Sequence, residues 1–220
     1  IVTRSEGDCG ESIRNKISLF CNVKPDCVIS NTTVDCLYKA PMMLHKNGLD
    51  TVACRELGIK EKLDLTPWTE LVKNIDARKG KVVIAMVGKY VSLHDSYLSV
   101  VESLNHASYS NRVFVDIMWV DSEEITDENV AEKLKGVDGI LVPGGFGSRG
   151  VEGMITACRY ARENDIPYLG ICLGMQVSVM EFARNVAGIE NATSGEFGDG
   201  NKVIDLMEDQ KGKEKGGTMR

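Results

Sequence analysis

From about residue 80 onward, segments with the apolar pattern of strands alternate with segments that have the apolar pattern of helices. The sequence predicts strands at 81–87, 113–120, 137–142 and 167–171. The run at 81–87 is continuously apolar, which is typical of a strand buried on both faces. The sequence predicts helices where apolar residues recur at helical spacing, at 95–108, 127–135, 152–164 and 175–187. Strands separated by such helices form βαβ units. The sequence therefore predicts an α/β fold with a mostly parallel sheet flanked by helices.

The first part of the chain has a different pattern. Residues 1–78 combine short helical patterns with turns, and they carry five of the seven cysteines. A charged stretch at 60–65 precedes Pro67, which is typical of a connection between domains. We therefore predict one domain at 1–60, a linker at 61–79 and a second domain at 80–220.

Charge and cysteine content narrow the class of protein. A formal net charge of −6 argues against a broad nucleic-acid-binding face. No apolar run reaches the roughly 18 residues that a membrane span needs, and the start at Ile1 resembles neither a leader peptide nor an intact N-terminus. The cysteines are odd in number and form no C-x-x-C pair, so we expect reduced thiols, no zinc site and a cytoplasmic protein.

One cysteine lies where a nucleophile is expected. Residues 170–174 read G-I-C-L-G between a predicted strand and a predicted helix, the thiol form of a nucleophile elbow. Such a tight turn exposes the sulfur of Cys172 and leaves backbone N–H groups free for a developing oxyanion. A lone cysteine is more often a buried structural residue, but the flanking glycines favour the nucleophile. Cys158, inside a predicted helix, is expected in the core.

A second glycine-rich turn follows the third predicted strand. Residues 143–150 read P-G-G-F-G-S-R-G, and they could form a plain loop. Four glycines in eight residues favour a backbone that approaches a ligand, with the N–H of Gly145 as an oxyanion donor. The G-x-x-x-x-G-K-[ST] pattern of a phosphate-binding loop is absent.

The residues do not reveal a general base for Cys172. The chain has three histidines, His45, His94 and His106, all upstream of the cysteine. His106 lies in a polar helical stretch and is expected at the surface, and His94 is expected in a loop. Since a thiol nucleophile needs a base within reach, the site is incomplete on these residues alone.

Several motifs carry a family resemblance. Segments 143–147 and 170–176 resemble a class I glutamine amidotransferase domain, which has a flavodoxin-like fold. Further motifs resemble the CTP synthase family in particular; they lie at 88–90, 95–97, 149–153, 196–197 and 216–220. Upstream, 16–23 and 34–38 resemble the C-terminal end of that family's P-loop-type α/β amidoligase domain. The resemblance covers essentially the whole chain.

The resemblance implies glutamine hydrolysis at Cys172, with ammonia passed on for the ATP-dependent amination of UTP to CTP. It implies that Gly145 and Leu173 form the oxyanion hole. The glutamine-binding residues that it implies are Gly145, Leu173, Gly174, Met175, Gln176 and Glu196. A carboxylate such as that of Glu196 suits the α-ammonium group of glutamine.

The nucleotide sites follow from the same resemblance. Lys16 and Phe20 match positions that contact UTP and the inhibitor CTP, and Thr32, Thr33 and Val34 match a stretch beside the adenine of ATP. Arg149 matches a lid implicated in activation by GTP, although a solvated loop arginine is an equal alternative. The family implies Mg²⁺, with no metal ligand in this chain, and a homo-oligomer, expected to be a tetramer.

The sequence departs from the family pattern in four places. The ATP-binding loop and the magnesium carboxylates would lie before Ile1, and the histidine and glutamate of the triad, with a glutamine-contacting arginine, would lie beyond Arg220. The family usually reads N-S-T-E-F where 193–197 read T-S-G-E-F, and Thr32 and Thr33 replace Lys and Asp. We therefore expect a piece of a longer protein with little glutaminase activity by itself. Another class I amidotransferase subunit and a catalytically silent binding or assembly module remain as alternatives.

Overall fold

The chain folds as two compact units in a computed structural model that describes residues 1–60, 63–205 and 207. The units are Ile1–Ala77 and Arg78–Arg220. Residues 61 and 62, within the predicted linker, and the motif at 216–220 lie outside the described residues. In the described part of the chain, every helix is too short or too polar to cross a lipid bilayer.

The first unit contains a small parallel strand pair. Strand β1 (Val2–Ser5) pairs with β2 (Ile29–Thr32), and helix α1 (Gly10–Cys21) connects them. The helices that follow are α2 (Ala40–Lys46), α3 (Leu49–Leu57) and α4 (Thr66–Asp76). The sequence pattern predicted helices and turns here but missed the strand pair, because each strand is only four residues long.

Helix α4 occupies much of the segment that was predicted to be a linker. Ile75 on this helix is buried. The indole Nε1 of Trp68 donates a hydrogen bond of 2.8 Å to the carbonyl oxygen of Tyr38. These contacts place α4 inside the first unit, whose last residue is Ala77.

The second unit is built on a four-stranded parallel sheet, as the sequence predicts. The strands are β3 (Lys81–Gly88), β4 (Phe114–Asp121), β5 (Gly139–Val142) and β6 (Tyr168–Gly170), and their order in the sheet is β4-β3-β5-β6. The helices are α5 (Leu98–Asn111), α6 (Val130–Lys133), α7 (Val151–Glu163) and α8 (Leu173–Asn185). A second parallel pair joins β7 (Ala192–Ser194) to β8 (Asn201–Ile204).

Both faces of the central strand β3 are buried from Ala85 to Val87, which explains its continuous apolar run. On β3, Ala85 and Val87 belong to one core cluster with residues of α7 and α8. Met86, between them, belongs to another cluster, with residues of α5 packed against it. Successive side chains on a strand point to opposite faces. A strand between two layers of helices therefore needs apolar residues at nearly every position.

The strand order reverses beside β3. The next two strands along the chain, β4 and β5, lie on opposite sides of β3. In open α/β sheets, ligands bind at the carboxyl ends of the strands near such a switch point. The segments that leave β3, β5 and β6 at this edge begin with Lys89, Pro143 and Ile171.

Candidate active site

Cys172 occupies a strained turn between β6 and α8. Its backbone angles are φ 54° and ψ −102°, in a region that residues with a side chain rarely adopt. Such strain is found most often at functional sites. The side chain of Cys172 is exposed, whereas that of Cys158 is buried in the core. The turn thus presents a thiol to solvent at the carboxyl edge of the sheet.

Two glycines permit this turn. A Cβ atom at Gly170 would overlap the backbone of Gly174, and one at Gly174 would overlap the carbonyl oxygen of Val142. The amide of Ile171 also donates a hydrogen bond of 2.9 Å to Val142 O. The turn is therefore folded tightly onto the end of β5, and only glycine fits at both positions.

The glycine-rich loop after β5 lies against the same turn. A Cβ atom at Gly144 would lie 3.5 Å from the Cβ of Cys172, and one at Gly145 would lie 3.2 Å from Cδ2 of Leu173. Among the described residues, no acceptor pairs with the backbone N–H of Gly145 or of Leu173. Two unpaired donors beside a thiol are the arrangement that stabilises an oxyanion.

The glutamine-binding residues expected from the resemblance lie around this turn. Leu173, Gly174, Met175 and Gln176 form the first turn of α8. The side-chain oxygen Oε1 of Gln176 is buried and has no donor within the described residues. A buried acceptor without a partner costs free energy, so a ligand that donates a hydrogen bond there would be favoured.

Glu196 reaches the loop from the segment after β7. Its Oε1 accepts a hydrogen bond of 3.0 Å from the N–H of Gly147, and its side chain is exposed. A Cβ atom at Gly195 would overlap Oδ1 of Asp205, so a larger residue there would require the Asp205 side chain to move. The structure thus brings the Glu196 carboxylate to the glycine loop.

Lys89 is a site residue to which the sequence analysis assigned no role. It follows β3 directly and is only 4% exposed. Its Nζ donates a hydrogen bond of 2.8 Å to Phe146 O and a second bond to Gly147 O. Burial lowers the pKa of Lys89, with a further lowering from the charge of Arg149. The feature of the sequence that could have indicated this role is a lysine placed directly after a predicted buried strand.

Arg149, expected on a lid, is held by several groups. Its guanidinium pairs with the Glu123 carboxylate and donates a hydrogen bond of 3.1 Å to Lys89 O. Its Cζ atom also lies 5.5 Å from the centre of the Tyr90 ring. These contacts tie the loop after β5 to the segment after β3.

The contacts found for the three histidines involve other residues than Cys172. The His94 ring stacks on Trp119, with ring centres 4.1 Å apart, and His106 lies beside Tyr109 on α5. His45, in the first unit, has its Nδ1 2.9 Å from Asp50. We therefore assign no general base from among them.

The candidate nucleotide-binding residues lie in the first unit. Lys16 and Phe20 are one turn apart on α1, and both are exposed, Phe20 at 87%. Thr32 ends β2, and the Thr33 hydroxyl accepts a hydrogen bond of 3.0 Å from Arg4. Val34 follows and is half-buried. Across the described residues, no group of three or more His, Cys, Asp or Glu side chains could hold a metal ion.

Comparison with known proteins gives two family matches. Residues 92–220 match the model of the class-I glutamine amidotransferases, and residues 1–59 match the model of the CTP synthase N-terminus. Proteins named CTP synthase from Clostridium acetobutylicum and Ruminiclostridium cellulolyticum are 54% and 53% identical to this chain over its whole length. The chain spans 42% of the length of each of these relatives.

A solved structure supports the same grouping. The glutaminase domain of Trypanosoma brucei CTPS with bound acivicin is 45% identical to this chain and superposes with a TM-score of 0.55. The match covers 60% of this chain and 52% of the trypanosome chain. The amidotransferase model covers more than half of the 220 residues. The chain belongs to the class I glutamine amidotransferase family.

Proposed function

We propose that the second unit supplies the nucleophile and the oxyanion hole for glutamine hydrolysis. The observation that carries this proposal is the exposed thiol of Cys172 on a strained strand-to-helix turn, beside the amides of Gly145 and Leu173, for which the described residues provide no acceptor. A structural cysteine needs neither exposure nor strain, whereas a nucleophile that must meet a carbonyl carbon benefits from both.

The chemistry begins when the sulfur of Cys172 attacks the side-chain carboxamide carbon of glutamine. A C–S bond forms, and the carbonyl electron pair moves onto oxygen, where the amides of Gly145 and Leu173 donate to it. Collapse of this intermediate breaks the C–N bond, and the nitrogen leaves as ammonia with the proton that the thiol lost. Water then attacks the thioester, so a C–O bond forms, the C–S bond breaks, and glutamate and the free thiol result.

Two further groups suit glutamine as the substrate. One carboxylate oxygen of Glu196 contacts Gly147, which leaves the other oxygen for the α-ammonium group in a charge-assisted hydrogen bond. The buried Oε1 of Gln176 can accept from an N–H of the substrate. Both groups are hydrogen-bond acceptors and therefore favour a ligand that carries donors. Glutamine carries them at its side-chain amide and at its α-ammonium group.

We also propose that the ammonia serves the conversion of UTP to CTP in the full-length protein. Support comes from the match of residues 1–59 to the CTP synthase N-terminus and from the relatives of that name. In this reaction ATP phosphorylates O4 of the uracil ring, and ammonia then displaces the phosphate. The exposed ammonium of Lys16 and the ring of Phe20, one turn apart on α1, suit a triphosphate and a pyrimidine base.

ATP, Mg²⁺ and GTP belong to the same proposal. We assign the adenine of ATP to Thr32, Thr33 and Val34, and activation by GTP to the loop that carries Arg149. Mg²⁺ would neutralise the phosphates of ATP. We assign no ligand for it within residues 1–60, 63–205 and 207, where no suitable cluster occurs.

The test is the substitution Cys172→Ala in the full-length protein. We expect CTP formation from glutamine to fall to background, while CTP formation from added ammonia is retained. Cys54→Ala is the matched control, because it removes a thiol from helix α3 in the other unit. An alanine variant at 172 that still used glutamine would show that the nucleophile lies elsewhere.

A labelling experiment tests the same assignment without a steady-state assay. Acivicin, the ligand in the trypanosome glutaminase structure, or a glutamine-like chloroketone should modify Cys172. We expect peptide mass spectrometry to find the adduct on Cys172, and we expect added glutamine to slow its formation. Modification spread evenly over the seven cysteines would contradict a glutamine site at this turn.

A further inference from the structure

We propose that Lys89 is a positioning residue for glutamine hydrolysis, holding the loop that carries the Gly145 oxyanion donor in its active geometry. This inference rests on the proposed function, because it assigns a role within the same site. Lys89 lies on the segment after β3, at the switch point of the sheet, whereas the nucleophile comes from the turn after β6.

The first part of the loop after β5, residues 143–147, lacks side chains that would fix it internally. Its first residue, Pro143, is buried, but Gly144, Gly145 and Gly147 have no side chain, and that of Phe146 is exposed. Glycine gives a loop more conformational freedom than any other residue. The direction of the Gly145 N–H must therefore be set by contacts from outside the loop.

Lys89 supplies such contacts from the segment that follows β3. Its ammonium group donates to two successive carbonyl oxygens, those of Phe146 and Gly147. Its stem runs beside Gly145, since a Cβ atom there would lie 3.7 Å from Cε of Lys89. Two bonds from one charged group fix the orientation of two neighbouring peptide planes, and hydrogen bonds of charged groups are the stronger kind.

Glu196 binds the same loop at the N–H of Gly147, whereas Lys89 binds the C=O of that residue. The N–H of Gly147 donates to Glu196 Oε1, while the C=O of Gly147 accepts from Lys89. Both backbone polar groups of Gly147 are thus hydrogen-bonded to side chains, and these two side chains carry opposite charges. Since Gly145 precedes it by two residues, removing either charge frees the donor to turn away from Cys172.

A buried lysine could instead serve only to stabilise the fold. The two interpretations differ in what they predict for catalysis. A structural role predicts a loss of stability and of every activity of the unit together. A positioning role predicts a loss of kcat for glutamine, while the thiol of Cys172 stays exposed and reactive toward a reagent that needs no oxyanion hole.

The experiment compares Lys89→Met with Lys81→Met in the full-length protein. Methionine keeps most of the lysine stem and removes the charge. Lys81 lies at the other end of the same strand, where it is exposed and pairs with Asp116. For Lys89→Met we expect kcat for glutamine hydrolysis to fall about 100-fold, the scale for loss of one oxyanion donor. KM should change less, and alkylation of Cys172 by iodoacetamide should stay within about twofold of wild type.

Two further variants keep the test informative if Lys89→Met fails to fold. Lys89→Arg, which keeps the positive charge, should recover at least tenfold of the lost kcat. If Lys89→Met does not fold, Lys89→Gln takes its place. Its carboxamide is uncharged and its nitrogen lies one bond nearer the backbone than the lysine Nζ, so we expect kcat to fall at least tenfold. Folding of each variant is checked by circular dichroism and by CTP formation from ammonia.

The outcomes separate this inference from the proposed function. If the wild-type protein neither hydrolyses glutamine nor is labelled at Cys172, the proposed function itself fails. If the wild-type protein is active and a folded Lys89→Met or Lys89→Gln protein retains the kcat of Lys81→Met, Lys89 does not position the loop. Equal losses of kcat and of iodoacetamide reactivity would also overturn the inference, in favour of a structural role.

Discussion

Gly174 lies so close to Val142 that a Cβ atom at Gly174 would overlap the Val142 carbonyl oxygen. This contact joins the first turn of α8 to the last residue of β5. It sets how near the Cys172 turn comes to the glycine loop, because Val142 leads directly into Pro143.

Gly174→Ala should therefore disturb both stability and activity. Overpacking of this kind typically costs about 1–3 kcal/mol, and we expect the free energy of unfolding, measured in urea, to fall by that amount. Glutamine hydrolysis should fall more than tenfold, because α8 must shift away from β5. Gly7→Ala is the control, since a Cβ atom there has no neighbour within 4 Å. Equal behaviour of the two variants would count against the tight contact.

An ion pair with one buried member lies between α7 and α8. Glu181 is only 1% exposed and accepts hydrogen bonds from Arg162 at 2.8 and 3.1 Å. Removing Arg162 would leave the buried Glu181 carboxylate without its charged partner, and breaking a fully buried pair costs about 3–5 kcal/mol. We expect Arg162→Ala to lower the free energy of unfolding by an amount at the lower end of that range, because the Arg162 side chain itself is 35% exposed.

The control for this pair is an exposed one. Arg159 pairs with Asp127 at the surface, and exposed pairs contribute at most about 1 kcal/mol. Asp127→Ala should thus lower the free energy of unfolding by less than about 1 kcal/mol. Urea titrations that gave similar losses for Arg162→Ala and Asp127→Ala would show that burial of Glu181 does not decide the contribution of the Arg162 pair.

The two cysteines of the second unit should differ in reactivity. Burial raises the pKa of the Cys158 thiol to about 11, and the negative charge of Glu181 adds to the effect, whereas Cys172 is exposed. At pH 8, iodoacetamide should modify Cys172 in the folded protein and reach Cys158 only after unfolding. Mass spectrometry of the two peptides against time measures this order.

The raised pKa of Cys158 also predicts a dependence of stability on pH. An unfolded thiol loses its proton near 9.0, and the folded one near 11. The folded state therefore binds more protons between these values, and stability is lost as the pH rises from about 9 to 11. The contribution is about 2 kcal/mol. Cys158→Ala should flatten this part of the stability curve; an unchanged slope would contradict the raised pKa.

The second unit shows how far apolar patterning can determine a fold. The run at 81–87 predicted a strand buried on both faces, and the run at 137–142 predicted a further strand. The structure places them as β3 and β5 in the centre of the sheet. The pattern worked because a strand between two layers of helices needs apolar residues on both sides. It missed β1 and β2, whose four-residue lengths carry no periodic signal.

The candidate site also contains residues that local sequence predicted and residues that only the structure brings there. Local sequence predicted the Cys172 turn, because a strand, flanking glycines and a helix are all contained in neighbouring residues. Lys89 and Glu196 lie 83 residues before and 24 residues after Cys172, and no local pattern joins them to the glycine loop. Their contacts with Phe146 and Gly147 arise from the strand order of the sheet and from the path of the chain after β7.

The sequence alone therefore determined the α/β class, the parallel strands and the turn that carries the thiol, since each depends on the spacing of residues close together in the chain. Only the tertiary structure decided that the Gly145 and Leu173 amides lie beside that turn with no acceptor in the described part of the chain. It also decided that oppositely charged side chains bind both backbone polar groups of Gly147. Hydrogen bonds of this kind depend on distances between segments far apart in sequence, which packing of the core sets and periodicity does not encode.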